Sequence, residues 1–284
     1  YTVEPTIQYD KTIGTNHTIN AVGGYSYQYG VSENFNASNY GFVNDIFQEN
    51  NIGAGSQLIA GKATMGSGKG DNTLVAFFGR ANYSFMDKYM ASFILRREGS
   101  SRFGANNKWG NFPAASVGWN ISKEQFMENL TFIDNLKLRA GFGVTGNQDI
   151  ANYSSLVTME TGGVYINPDG QWRQTYGPNK NPNPNLKWER KKEYNIGADF
   201  SVLNKRLSGS LDVFKRVTND LLYNYTSQLP PFVRETIYTN VGSISNKGVE
   251  LYLNAVPVKT NDFTWSIDAT GSFITNKADN LSND

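Results

Sequence analysis

The sequence has no cysteine and one histidine, His17. The first absence excludes disulfides, thiolate-bound zinc and thiol nucleophiles. The second excludes a metal site with two histidine ligands, and His17 reads as an ordinary strand or turn residue. An excess of one charge is missing too. Lys and Arg number 26 against 25 Asp and Glu, a net charge of +1, so there is no electrostatic case for nucleic acid as a partner. No apolar run is long enough for a transmembrane helix, which needs about 18 residues or more. A transmembrane β-barrel escapes that test, because only every second residue faces lipid. Leu-rich helical runs are absent as well.

What is present points to an all-β protein. The 284 residues include 16 Tyr, 17 Phe and 28 Gly. About ten stretches alternate apolar with small or polar residues, the period of a strand with two unlike faces. From Val249 to Ala255, for example, Val249, Leu251, Leu253 and Ala255 fall on one side, and Glu250, Tyr252 and Asn254 on the other. The chain starts within such a pattern (Val3, Ile7, Tyr9), shows no signal peptide at Tyr1 and stops in polar sequence at Asp284. These ends lead us to expect an internal fragment or a processed piece.

The first two expected strands cover about Thr2 to Lys11 and His17 to Tyr29, joined by a turn at Ile13 to Asn16. A long polar connection follows to about Asp71, with a possible helical turn around Phe42, Val43, Ile46 and Phe47. Within it, residues 61–70 look superficially like a phosphate loop. Ala63 and Gly70 stand where that motif needs Gly and Ser or Thr, so a flexible surface loop is expected. The third strand alternates through Val75, Phe77, Ala81, Tyr83 and Phe85 and turns at Met86-Asp87 into a fourth, through Tyr89, Phe93 and Leu95. A polar loop from Gly99 to Asn107 precedes the fifth, Phe112 to Ile121. Ser122 to Asn129 suggests a helical turn or two with Ser122 as N-cap.

The sixth strand is the cleanest. Leu136, Leu138, Ala140, Phe142 and Val144 oppose Lys137, Arg139, Gly141 and Gly143. Each cation would cost about 2–4 kcal/mol facing lipid at the midplane, so this polar face suits a water-filled lumen or a plug contact. The longest connection, about Gly146 to Leu186, carries Tyr165, Trp172 and Tyr176. Strands seven and eight are joined by a tight turn at Asn204-Lys205, and strands nine and ten by Lys259 to Asp262. Tight or moderate turns thus follow the odd strands, and long connections follow the even ones. Outer-membrane barrels have this asymmetry, with short periplasmic turns and long extracellular loops. A soluble up-and-down barrel is the competing architecture.

Several segments resemble the SusC/RagA family of TonB-dependent outer-membrane transporters of Bacteroidetes. In order they are Phe78-Gly79-Arg80-Ala81-Asn82-Tyr83-Ser84-Phe85, then Arg96-Arg97-Glu98-Gly99-Ser100-Ser101-Arg102-Phe103-Gly104, with Glu98 where the family usually has Asp. Next come Gly110 to Trp119, Leu136 to Asn147, Asn183-Pro184-Asn185-Leu186-Lys187-Trp188-Glu189, and Asn240 to Leu251. The resemblance runs from Thr73 to Lys277 in one order and spacing. It implies an antiparallel up-and-down transmembrane barrel of about 22 strands with a plug in its lumen, of which this chain is a partial wall. It also implies import of oligosaccharides or peptides, a SusD-like surface lipoprotein as lid, and energy from the TonB complex. We expect residues 1–284 to be barrel wall, with the plug, the TonB box and the final strands absent from them.

No cofactor or metal is expected. Scattered carboxylates (Glu98, Glu189, Asp199, Glu250) fit a polar lumen better than a catalytic pair, so we do not expect an enzyme. Tyr165, Trp172 and Tyr176 are the candidate contacts to a glycan or peptide ligand or to the lid, with loop packing as the plainer role. Tyr83, Tyr89, Trp119, Trp188 and Trp265 suit aromatic girdles against outer-membrane lipid. Residues 99–104, basic at Arg102, are expected to order an external loop. The alternative function is a soluble all-β surface glycan-binding or adhesin module, which predicts a dry core and a solvated exterior.

Overall fold

A computed structural model describes residues 1–281. It is built from strands β1 (Thr2–Val3), β2 (Thr6–Ile13), β3 (His17–Ser38), β4 (Thr64–Phe85), β5 (Tyr89–Ser100), β6 (Trp109–Asn120) and β7 (Ile133–Asn147). These are followed by β8 (Met159–Ile166), β9 (Trp172–Pro178), β10 (Glu189–Val202), β11 (Leu207–Thr226), β12 (Thr236–Lys259) and β13 (Thr264–Asn280). Eleven of the strands form one antiparallel sheet in chain order, open between β1–β2 at one edge and β13 at the other. The remaining two, β8 and β9, pair only with each other. The ten sequence-expected strands are all present, as a curved wall rather than a closed globule. Pro5 separates β1 from β2 because it has no amide to donate, although its carbonyl still accepts from Tyr25 N at 3.2 Å.

The two faces divide as the alternation requires. Ile196 is 67% exposed and Phe273 76%, and Leu138, Leu211, Val213, Val249 and Leu251 are exposed on the same outer face. A soluble sandwich would seal these side chains inside. The opposite face carries Asn20, Asn82, Lys137, Arg139, Asn195 and Asp212, and an open hollow of about 400 Å³ lies on it. The tight turns have the geometry of twisted hairpins. Met86 and Asp87 both take positive φ (53° and 52°), and Lys88 N donates to Phe85 O at 3.0 Å.

The strands overrun their expected limits at the long-loop end. β3 and β4 pair from His17/Phe85 to Ser38/Thr64. At about 3.3 Å per residue the 22 residues of β3 reach roughly 70 Å, over twice the thickness of a hydrocarbon core. Above Gly30 the apolar side chains thin out to Val31 and Phe35 of β3 and Met65 of β4, so the alternation that marks a lipid-facing strand weakens there. Asparagines of β3 lie over glycines of β4 instead. A Cβ on Gly66 would meet Asn36 Oδ1 at 2.7 Å, and one on Gly68 would meet Asn34 Oδ1 at 2.4 Å. Part of the expected flexible loop, Thr64 to Gly70, is therefore strand. Two helical expectations also change. Phe42 to Phe47 is irregular and the turn of 3-10 helix lies at Gln48–Ala54. Ser122 sits inside a short 3-10 turn, Ile121–Lys123, without capping it, and its hydroxyl donates to Asn120 Oδ1 at 2.8 Å. The expected turns themselves are present, as short 3-10 turns at Ile121–Lys123 and Gln125–Met127, and neither has a side-chain cap.

Candidate functional site

The lumen face is a largely polar surface built by cross-strand neighbours, interrupted by Phe78, Met90, Ile94 and Phe214. Asp10, Asn20, Asn82 and Ser92 are successive partners across β2 to β5. Asn20 donates to Asp10, Asn82 Nδ2 to Asn20 Oδ1 at 3.2 Å, and Ser92 Oγ to Asn82 Oδ1 at 2.7 Å. Further along, Arg139 of β7 reaches two acids on different strands. Its Nη2 lies 3.0 Å from Asp199 Oδ1 and 2.7 Å from Asp212 Oδ2, while Nε and Nη1 complete bonds to the same pair. Asn195 Nδ2 donates to Asp212 Oδ1 at 3.2 Å. A guanidinium can satisfy two carboxylates because its donors point in a planar fork. Nearer the loops, Arg216 pairs with Glu193 at 2.9 Å and stacks on the Phe214 ring at 4.1 Å. Three of the four carboxylates that the sequence marked are engaged: Asp199 here, Glu98 with Arg96 at 2.8 Å, and Glu189, which accepts from Asn147 Nδ2 at 3.1 Å and Leu222 N at 3.0 Å. The surface offers amides, hydroxyls and neutralised charges to whatever fills the lumen.

At the long-loop end the wall splits. β5 pairs with β6 as far as Gly99/Trp109, and β7 with β10 as far as Asn147/Glu189, but β6 and β7 part at Ala114/Gly143. Phe103, Phe112, Val144, Ile150, Leu186 and Trp188 fill the wedge and form the one sizeable buried cluster among the described residues. Phe103 and Trp188 rings lie 4.7 Å apart, and Phe112 meets Trp188 edge-on at 5.2 Å. Two distant segments, 99–104 and 183–189, dock there. Gly104 N donates to Leu186 O at 2.9 Å, and a Cβ at Gly104 would stand 2.1 Å from Pro184 O, so only glycine fits. Arg102 donates to Asn152 Oδ1 at 3.0 Å and Gln148 O at 3.2 Å, the loop-ordering role expected of it.

Trp188 is a correction to the expected girdle. It is 4% exposed, and its Nε1 donates to Lys108 O at 2.9 Å. The wedge takes it out of reach of lipid. Tyr83, Tyr89, Trp119 and Trp265 do remain exposed near the short-turn end. There His17, Phe85, Tyr89 and Trp119 are successive cross-strand partners, with ring spacings of 4.9, 6.3 and 6.5 Å. Glu124, in the turn below, accepts from Tyr89 Oη at 2.7 Å, Trp119 Nε1 at 3.0 Å and Lys88 Nζ at 3.2 Å. The Tyr89 hydroxyl chiefly, then the Trp119 indole, holds its carboxyl below the usual carboxylate range.

The three aromatic candidates of the longest connection lie on the β8–β9 hairpin. Trp172 and Tyr176 are 68% and 70% exposed, and they share a face with Ile166 and Val164. Tyr165 is 49% exposed, pairs with Arg173 and takes the opposite face. The structure therefore joins two of the three and separates the third. The hairpin has a legible signal in the sequence. Pro168-Asp169-Gly170 is a turn sequence between alternating residues. Gly170 has φ +77° and donates to Asn167 O at 2.8 Å. Also unforeseen are two buried asparagines that bracket the loops. Asn181 binds the backbone of Val233, Arg234 and Thr236, and Asn240 that of Lys187 and Asp220. Their sequence signal is slight, because single asparagines are common in any loop.

Comparison with known proteins agrees with this geometry. The family model described as TonB dependent receptor-like, beta-barrel matches residues 2–284. TonB-dependent receptor P39 of Formosa agariphila is 35% identical over 95% of this chain and 25% of its own length. TonB-dependent receptor SusC of Bacteroides thetaiotaomicron is 39% identical over 69% of this chain and 20% of its own length. The structure of the RagAB peptide transporter superposes on 99% of this chain with a TM-score of 0.86 and 26% identity, and 30% of that transporter chain is covered. This chain spans a fifth to a quarter of the length of those curated relatives. The chain belongs to the TonB-dependent receptor β-barrel family of the bacterial outer membrane, in its SusC/RagA branch.

Proposed function

We propose that this chain is barrel wall of an importer that moves oligosaccharides or peptides across the outer membrane. The observation that carries the reading is the separation of its two faces: exposed Leu138, Ile196 and Leu251 outside, the Arg139–Asp199–Asp212 cluster and the asparagine row inside. A polar concave surface of amides and paired charges suits a hydrated solute or a polar plug, and nothing in it is arranged as a reacting centre. In the proposed arrangement the plug and the TonB-contacting segment lie outside residues 1–284. A SusD-like lipoprotein closes the external side, and the TonB complex supplies energy. Names of relatives support this: SusC is a TonB-dependent receptor, and RagAB is a peptide transporter.

Transport is tested in intact cells. Deleting the gene should abolish uptake of fluorescent oligosaccharides or peptides, and collapsing the proton-motive force should stop it in the parent strain. Uptake that survives both sinks the reading.

Within it, the Trp172/Tyr176 face of the β8–β9 hairpin serves as an external contact for ligand or lid, backed by Val164 and Ile166. The double change W172A/Y176A is expected to weaken co-purification of the lipoprotein, or ligand affinity, by at least about tenfold, the scale of an interface hot spot. Tyr165→Ala on the other face should change neither. Equal effects from both faces would overturn the assignment.

A further inference from the structure

The outer face changes character along one border near the long loops. On β10 and β12 the apolar alternation stops at a lysine, Lys192 beyond Tyr194 and Lys247 beyond Val249, and on β11 Lys215 interrupts it between Val213 and Val217. On β13, Lys277 follows Phe273 and Thr275. The register gathers these four. Lys215 and Lys247 are direct cross-strand partners. Lys192 stands diagonal to Lys215, opposite Val217, and Lys277 stands diagonal to Lys247, opposite Ser245. All four residues are exposed. Lys192, Lys215 and Lys247 have no ion-pair partner among the described residues, while Lys277 has Asp279 at 3.5 Å. Apart from Asp279, the acids flanking the row point the other way: Glu193 and Asp212 face the lumen, held by Arg216 and Arg139, and Glu250 is the cross-strand partner of Asp212.

Like charges directly opposite one another destabilise a sheet, so this arrangement asks for an anion. Its surroundings say which kind. Val213, Val249 and Phe273 form an exposed apolar shelf immediately on the membrane side of Lys215 and Lys247, extended by Tyr194, the cross-strand partner of Lys215. The border between such a shelf and a cationic row, at the long-loop end, is the headgroup level of the external leaflet. Opposite residues of a sheet lie about 5 Å apart and diagonal ones about 7–8 Å, close enough for two ammonium groups to hold one phosphate. A free anion would use the cations and leave the shelf unused. An amphiphile uses both.

We propose that Lys192, Lys215, Lys247 and Lys277 bind the phosphates of a phosphorylated glycolipid of the outer leaflet, with its acyl chains on the Tyr194/Val213/Val249/Phe273 shelf. The site goes beyond the transport reading and holds whichever solute is carried. It requires only the outer-membrane placement.

The test uses the intact outer-membrane protein in detergent micelles, with lipid A carrying two, one or no phosphates as the probes. Native mass spectrometry is expected to show retained bisphosphorylated lipid A, at least tenfold weaker retention of the dephosphorylated form, and no displacement by millimolar inorganic phosphate. The triple variant K192Q/K215Q/K247Q should lose at least tenfold in retention, and K192R/K215R/K247R should keep it. Migration as a heat-modifiable barrel on gels verifies that each variant is folded, and the wild-type comparison of the three lipids stands without any variant. Retention indifferent to the phosphates, displacement by free phosphate, or a glutamine variant that binds like the wild type would each overturn the proposal. A lysine row that instead captured an acidic protein surface would show the first of these results.

Discussion

At the scale of single residues, charge is used in two ways. Arg139 stands between two acids that form no ion pair with any other cation among the described residues, so removing it should leave both without their partner. Arg139→Met is expected to destabilise the barrel by roughly 2 kcal/mol. That is below the 3–5 kcal/mol of a fully buried pair, because a third of the Arg139 and Asp199 side chains is open to lumen water. The triple variant R139M/D199N/D212N should recover most of the loss, read as the urea midpoint in detergent. Glu124 works through its hydrogen bonds at the periplasmic rim. Its folded carboxyl titrates below the usual range, chiefly because the Tyr89 hydroxyl donates to the ionised form. The contribution is therefore present above the ordinary carboxylate value and lost as pH falls through the depressed one. Thermal unfolding against pH should show an acid limb for the wild type that is flatter in Glu124→Gln, and equal limbs would refute this role.

At the scale of elements, the wedge between β6 and β7 is the main packed unit. Trp188→Ala is expected to cost about 3–5 kcal/mol, the range for removing a large buried aromatic. Because Gly104 and Leu186 join segments 99–104 and 183–189 there, limited proteolysis should cut the variant within residues 101–108 before any strand is cut. Cleavage at wild-type rates would count against the wedge as a lock. How much of these elements was legible follows from the same geometry. The apolar alternation from Leu136 to Val144 announces a strand, because a strand half in lipid must alternate. The upper parts of β3 and β4, rich in Asn, Gly and Ser, carry only scattered apolar residues and so leave a weaker mark. Of the candidate site, the aromatic content of the longest loop was readable. The split of Tyr165 from Trp172 and Tyr176 was not, since it depends on the register of a hairpin whose two strands are irregular between Thr161 and Val164.

At the scale of the whole molecule, the open sheet has consequences for handling. All seventeen residues of β13 and all eight of β2 are exposed, so two edges offer unpaired backbone groups beside a large apolar surface. The 284-residue chain expressed alone should enter the insoluble fraction in plain buffer and dissolve only with detergent. A monodisperse, detergent-free preparation would contradict a lipid-facing wall and favour the soluble module.

The sequence by itself determined the two faces, the ten wall strands, the tight turns and the family, because each is written in neighbouring residues: a period of two, a turn dipeptide, an ordered run of motifs. Tertiary structure decided what depends on residues far apart in the chain. It turned Trp188 from lipid into the wedge, set Asn240 against Lys187, tied Arg139 to acids on two other strands and brought Lys215 opposite Lys247. Cross-strand register places these partners, and no local pattern contains it.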